Sequence, residues 1–314
     1  MKKGIVVKST GSWYTVKTSD GNLIECRIKG NFRIKGIRST NPIAVGDQVE
    51  VSEQREDNNS EGAVTGLITN IIDRKNYIIR KAPNLSKESH IIAANIDQAF
   101  LIVTIKYPVT TTTFIDRFLV SAEAYRIPCR IIFNKTDLYN EDQTALMNSL
   151  VDIYEAVGYQ CLKISATKNT GIQALKMMMK EKTNVFSGHS GVGKSTIINC
   201  IQPGASLKTG IISDSHHSGK HTTTYSEMID LDFGGFIIDT PGIKGFGLLE
   251  MAKEEISHYF PEMFQLLNDC QYYNCTHTHE PGCAVKKAVE EGHIAESRYD
   301  TYVGLLNNED KYRN

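Results

Sequence analysis

No apolar run in this sequence approaches the length needed to cross a bilayer. A secretory core is missing as well, because Met1-Lys2-Lys3 is followed by only four uncharged residues, Gly4 to Val7, before Lys8. These absences predict a soluble, cytoplasmic protein with no membrane partner. Net charge is almost absent too, at -1, which excludes a chain that coats nucleic acid with its whole surface and leaves room only for local basic patches. Nor is there a disulfide framework. The seven cysteines are odd in number; Cys26, Cys129, Cys161 and Cys200 are scattered among apolar neighbours, while Cys270, Cys275 and Cys283 crowd beside histidines. That spacing suits a reducing compartment and a metal site.

What is present is a chain of 314 residues, 40% hydrophobic, long enough for two or three domains. Three textures divide it, at 1–73, 74–249 and 250–314. The first shows short strands near 5–9, 14–17, 23–28, 49–52 and 63–72, with Asp20-Gly21 as a hairpin signal. This pattern suits a small β-barrel of the OB type. Between Glu25 and Asp47 there is no acidic residue, whereas Arg27, Lys29, Arg33, Lys35 and Arg38 fall there with Phe32 among them. Two readings stand: a loop that tracks a phosphate backbone and stacks a base, or a solvated loop with a buried Phe32. A basic connector with Arg74, Lys75, Arg80 and Lys81, then a polar stretch around 83–90, is expected to lead into the second part.

That second part alternates. A continuous apolar strand over 99–105, helical spacing over 114–125 and a buried strand over 130–133 are followed by strands near 162–165, 184–187, 226–230 and 236–238. Helices are expected near 142–156, 171–181 and 193–202. The pattern predicts a doubly wound α/β sheet, with ligands at the carboxyl ends of its strands. The third part turns helical near 256–267, 284–292 and 296–306 around the cysteine cluster, and a segment this small needs a staple such as a metal.

Val185-Phe186-Ser187 runs into Gly188-His189-Ser190-Gly191-Val192-Gly193-Lys194-Ser195 and on into Thr196, the strand, glycine-rich loop and helix of a P-loop. Glycines at 188, 191 and 193 let backbone N–H groups close around phosphates, and the helix N-terminus adds its positive end. Lys194 is expected on the β- and γ-phosphates and Ser195 on Mg²⁺. Asn134-Lys135-Thr136-Asp137 follows a strand ending at Phe133. The Asp137 carboxylate can accept both N1–H and the exocyclic amine of guanine, a donor pair adenine lacks, so it would select GTP over ATP. Ser165-Ala166 ends the next strand, with the Ala166 N–H expected on the guanine O6.

In Asp239-Thr240-Pro241-Gly242, Asp239 can hold the metal through water and Gly242 can turn its N–H to the γ-phosphate. The stretch from Gly219 to Thr224 reads as a switch in which Thr223 completes the Mg²⁺ shell. After Gly242 stands Ile243, and an aliphatic side chain cannot orient the attacking water. His221 is the best candidate for that catalytic role, because imidazole can accept a hydrogen bond or proton near neutral pH; the alternative is an exposed loop histidine. Cys270, Cys275, His277 and Cys283 supply three thiolates and an imidazole, the donor set of a closed structural Zn²⁺ site. His279 is a rival ligand.

The base-reading motif precedes the P-loop, the reverse of ordinary small GTPases, which implies a circularly permuted G domain. On these motifs, with the barrel and the His221-Thr222-Thr223-Thr224 run, the sequence resembles the RsgA (YjeQ/YloQ) family of bacterial circularly permuted GTPases that assist late maturation of the small ribosomal subunit. The resemblance covers nearly the whole chain. It implies an OB domain, a permuted G domain and a C-terminal zinc domain, docking on 16S ribosomal RNA, and low intrinsic turnover stimulated by the 30S particle. In that family the histidine matching His221 is the proposed catalytic group. Lys220 stands where the family usually has Arg, and Lys244-Gly245 where it has Arg-Glu.

A monomer is expected. A rival reading keeps GTP as a gate for RNA attachment with hydrolysis incidental. The strand carrying Asp239 leads directly toward the third part, so γ-phosphate contacts at Thr223 and Gly242 are expected to reorient the zinc region on RNA.

Overall fold

A computed structural model describes residues 1–28, 42–55, 64–81, 89–203, 226–239 and 251–307. Alternation builds its first five strands. In β2 (Tyr14–Thr18) the residues Tyr14, Val16 and Thr18 are buried, while Thr15 and Lys17 stay half-exposed. With β1 (Lys2–Ser9), β3 (Leu23–Ile28), β4 (Gln48–Arg55) and β5 (Val64–Ile71) it forms a closed barrel in the order β1-β2-β3-β5-β4, with β4 returning to β1. Only the β3–β5 pairing is parallel. Val6, Tyr14, Val16, Ile24, Cys26 and Ile68 fill the interior. This is the expected OB-type barrel; its basic segment 29–41 lies outside the described residues.

The connector differs from expectation. β6 (Tyr77–Lys81) and β7 (Ser89–Ala94) pair antiparallel as a separate two-stranded sheet. Ile78, Ile91 and Ala93 are buried there, an apolar side that the surrounding cations hide from a composition-based reading. Arg74, the first cation of the supposed basic connector, is structural. Its Nε and Nη2 donate to the two oxygens of buried Asp47 at 2.6 Å each, and Nη2 also donates to the Pro42 carbonyl at 2.8 Å.

The doubly wound sheet contains β8 (Gln98–Val103), β9 (Cys129–Phe133), β10 (Gln160–Lys163), β11 (Thr183–Ser187), β12 (Ser226–Asp230) and β13 (Phe236–Asp239), in the order β10-β9-β8-β11-β13-β12. All of these pairings are parallel except β12–β13. β8 is buried from end to end, as a central strand covered on both faces must be. Ala99, Leu101 and Val103 pack with α1 (Thr112–Ala124) and α2 (Glu141–Val157), whereas Phe100 and Ile102 pack with α3 (Ile172–Met179) and α4 (Lys194–Ile201). Asn140 starts α2 through a capping box with Gln143.

The P-loop strand β11 sits centrally, between β8 and β13, although three strands of the sheet precede it in the chain. That is the permuted order expected. On its outer side β12 pairs antiparallel with β1 of the barrel, Lys8 opposite Glu227 and Ser9 opposite Ser226. Ion pairs Lys8–Glu227 at 3.6 Å and Lys17–Asp230 flank this junction. Barrel and doubly wound sheet are thus one eleven-stranded sheet.

The helix expected over 256–267 is instead three short pieces: a 3₁₀ segment Lys253–Tyr259, α5 (Pro261–Phe264) and a second 3₁₀ turn Leu267–Asp269. Pro261 explains the break, since it disfavours helical backbone at Phe260 and suits the first position of a new turn. α6 (Ala284–Glu290) and α7 (Glu296–Leu306) follow, close to expectation. Val120 of α1 packs among Phe260, Met263 and Tyr302. Arg298 of α7, 1% exposed, crosses the same seam: Nη1 donates to Asp116 of α1 at 2.9 Å, and Nε and Nη2 donate to Glu262 at 2.7 and 2.9 Å. Tyr154 and Thr301 hydroxyls also donate to Asp116, each at 2.9 Å. No helix among the described residues is long and apolar enough to cross a membrane.

Candidate functional site

The loop between β11 and α4 needs glycine at its two ends. Gly188 has φ +142°, and a Cβ there would lie 2.3 Å from the Ile102 carbonyl oxygen; Gly193 has φ +100°, and its Cβ would lie 2.4 Å from Asn134 Nδ2. Between them the chain curls tightly enough for Lys194 Nζ to donate to the carbonyls of Gly188 and His189, at 2.6 and 2.7 Å. The ammonium therefore sits over the loop at the start of α4, where backbone N–H groups and a fixed cation together suit an anion such as phosphate. His189 stacks on Phe114 of α1 with ring centroids 3.8 Å apart. Burial, and secondarily the Lys194 charge, hold its imidazole below the usual histidine range. Val192 is buried, Ser195 half-buried, and Ser190 and Thr196 exposed.

The Asn134-Lys135-Thr136-Asp137 turn converges on this loop. Asn134, 2% exposed, donates from Nδ2 to the Val192 carbonyl at 2.9 Å and accepts from the Ala166 N–H at 3.2 Å. One amide thus ties three loops together. Lys135 Nζ donates to the Gly191 carbonyl at 2.7 Å and to the Tyr107 carbonyl. The Thr136 hydroxyl donates to the Ile164 carbonyl at 3.0 Å, pinning the turn to the end of β10. Asp137 is left exposed beside Ser165 and Ala166. Its Oδ1 accepts from the Ser165 hydroxyl at 2.5 Å and its Oδ2 from the Thr167 hydroxyl at 3.1 Å. The Ser165 hydrogen bond, helped by Thr167, holds the Asp137 carboxyl below the usual carboxylate range.

β13 runs parallel to β11, so its final residue, Asp239, reaches the same edge of the sheet. The Asp239 side chain, Gly242, His221 and Thr223 lie outside what is described, as does Ile243. Sequence reasoning missed three supports. The Tyr139 hydroxyl donates to the Asn134 carbonyl at 2.5 Å and accepts from the Ile105 N–H at 3.0 Å; Phe114 backs His189; Thr167 holds Asp137. For Thr167 a signal was available, a hydroxyl directly after Ser165-Ala166.

A family model described as RsgA GTPase matches residues 71–249, and one described as RsgA N-terminal domain matches residues 3–64. The chain belongs to the RsgA GTPase family. It is 59% identical over 313 residues to the small ribosomal subunit biogenesis GTPase RsgA 2 of Bacteroides thetaiotaomicron, covering 99% of each chain. It is 60% identical over 313 residues to the RsgA of Phocaeicola vulgatus, again covering 99% of each. Among solved structures it is similar to YjeQ from Thermotoga maritima, with TM-score 0.78, 36% identity and 99% of both chains covered. YloQ, described as a circularly permuted GTPase, matches with TM-score 0.75 and 30% identity over 100% of this chain and 97% of that one. Like the other RsgA GTPases, the chain is an enzyme that hydrolyses GTP.

A second candidate site lies in the C-terminal part. Ligand atoms of Cys270, Cys275, His277 and Cys283 all fall within 4.8 Å of one another. His277 Nδ1 lies 3.6 Å from Cys270 Sγ and 3.4 Å from Cys283 Sγ. Glu280 braces the knuckle by accepting from the Thr276 hydroxyl and N–H and the Thr278 N–H, while Tyr299 and Tyr302 of α7 donate to the carbonyls of His277 and Thr276. Burial keeps His277 neutral by lowering its pKa, and pushes the Cys275 thiol up to about 12. Three sulfurs and one imidazole nitrogen converging within 4.8 Å make a donor set that fits a metal ion. His279 is not among the converging donors; it is exposed, with Nδ1 3.0 Å from the Thr278 hydroxyl.

Proposed function

We propose that the chain binds the 30S ribosomal subunit through 16S rRNA and assists its late maturation, hydrolysing GTP to GDP and phosphate at a rate the particle stimulates. The observation that carries the nucleotide part is the hydrogen bonding of Asn134 and Lys135 to the carbonyls of Val192 and Gly191, which joins the base-reading turn to the phosphate loop. The ribosomal part is supported by the relatives, named as small ribosomal subunit biogenesis GTPases.

In this reading Asp137, between Ser165 and Thr167, accepts from N1–H and the amine of guanine while Ala166 N–H meets O6. Lys135 covers the base and sugar. The N–H groups from Gly188 to Thr196, with Lys194, cradle the phosphates. Ser195 and Thr223 would hold Mg²⁺, with Asp239 acting through water; the ion supplies charge neutralisation at the phosphates. Gly242 N–H senses the γ-phosphate and His221 orients or deprotonates the attacking water. Cys270, Cys275, His277 and Cys283 hold one structural Zn²⁺. The protein works in the cytoplasm as a monomer, with functional divisions at 73 and 249.

Arg298 changes one expectation. Swinging the zinc region away from α1 would break the Arg298 and Thr301 hydrogen bonds to Asp116 and open the apolar seam of Val120, Phe260, Met263 and Tyr302. We therefore assign the zinc region and α1 to one rigid unit, and place any nucleotide-driven rearrangement elsewhere in the chain.

The test is GTP hydrolysis with and without purified 30S subunits. Acceleration by 30S, abolished by Lys194→Ala, is the expected result; no acceleration of the intact protein overturns the ribosomal assignment. His221→Ala is expected to keep 30S binding and lose stimulated turnover. Undiminished turnover would remove His221 from the chemistry.

A further inference from the structure

Trp13 is the one tryptophan of the chain. It closes the turn between β1 and β2, where Thr10 N–H donates to the Trp13 carbonyl at 3.0 Å and Gly11 takes φ +86°. Its half-buried indole lies against the Arg27 guanidinium, whose central carbon is 4.0 Å from the ring centroid. Arg27 is exposed on the outer side of β3, and no carboxylate among the described residues pairs with it. Glu25, two positions earlier on the same side, accepts instead from the Thr15 hydroxyl at 2.6 Å.

An exposed arginine ordinarily samples many rotamers, but the guanidinium carbon of this one lies over a ring, 4.0 Å from its centroid. The ring takes up one side of the guanidinium, and the residue stays exposed. Barrels of this topology bind single strands across their second and third strands and the adjoining loops. Unstacked bases settle on aromatic rings and guanidinium planes. The local charge agrees, since residues 26–46 carry five cations and no carboxylate.

We propose that Trp13 and Arg27 form a stacking platform for an unpaired base of single-stranded RNA, with the guanidinium between indole and base and its charge on an adjoining phosphate. The platform rests on the reading of the chain as an RNA-bound GTPase and names side chains that touch the RNA. Lysine cannot replace Arg27, because an ammonium has the charge without the plane.

The lone tryptophan makes the contact directly observable. The full-length protein is titrated with a single-stranded 12-mer oligoadenylate while Trp13 emission is followed and anisotropy of the labelled RNA reports total binding. Saturable quenching by the RNA is expected, and none by an abasic phosphodiester of equal length or by polyglutamate. Arg27→Ala should weaken binding about tenfold, within the range for losing one stacked base, and Arg27→Lys should recover little of it.

Absence of binding, unchanged emission at saturation, equal quenching by the abasic strand or polyglutamate, or an Arg27→Ala affinity like that of the parent would each overturn the platform. Intrinsic GTP hydrolysis of Arg27→Ala checks its folding. If the parent protein is still stimulated by 30S, a failed titration discards the platform alone; if it is not, the ribosomal function itself has failed.

Discussion

Asp137 illustrates how a reading residue is held ready. Two hydroxyls, from Ser165 and Thr167, fix its oxygens and keep it ionised while it remains exposed at the mouth of the site. Asp137→Asn places an amide donor against the donors of guanine. GTP affinity is expected to fall at least tenfold, on the order of one charge-assisted hydrogen bond, with preference moving to xanthosine triphosphate in a competition assay. Because the folded pKa is depressed, the carboxylate persists as pH falls and protonates only below its ordinary range. GTP affinity measured from about pH 7 to pH 5 should therefore show no loss assignable to Asp137. At this scale the sequence was most legible. Asn134 to Asp137 and Gly188 to Ser195 are short, contiguous strings whose chemistry depends on spacing alone. Tyr139, Phe114 and Thr167 escaped because their roles arise from packing: Tyr139 meets Ile105 and Phe114 meets His189 only after the sheet forms.

Among the elements, α1 has two neighbours that sequence could not pair with it. Near its start Phe114 stacks on the P-loop histidine, and two residues later Asp116 receives Arg298 from α7. Removing the guanidinium leaves Asp116 and Glu262 without their buried partner. Arg298→Met is expected to destabilise the protein by about 3–5 kcal/mol, read as a lower midpoint in urea.

The metal knuckle makes a separate prediction. Metal analysis should find one zinc per chain, and chelation should lower Tm and expose the segment after residue 250 to protease. Unchanged melting after complete metal removal would deny the ion a structural role. Elements with strong periodicity, such as α2 and β8, were legible in outline. The β6–β7 hairpin was not, since Arg80 and Lys81 disguise a short apolar side, and neither was the break at Pro261, since a helical spacing of apolar residues runs through it.

For the whole molecule, the permutation was readable from motif order, but the continuity of barrel and doubly wound sheet was not. Pairing between β1 and β12 depends on two short strands more than 200 residues apart, and no local pattern announces it. It links the barrel to the strand immediately after the predicted switch, while the α1–α7 seam is locked. Hydrogen exchange should therefore differ between GTP-analogue and GDP states within 226–230 and remain the same along α7. Equal exchange in both segments would leave the barrel uncoupled from the nucleotide.

The junction also settles what each piece can do alone. β12 lies at one margin of the doubly wound sheet and β1 covers it at Ser226 and Glu227. A chain cut to begin after residue 73 loses that cover and bares backbone donors and acceptors to any extended peptide nearby, a standing invitation to self-association. The first strand of the barrel thus doubles as a solubility guard for its neighbour, and the isolated G domain should form oligomers in sedimentation where the intact protein does not.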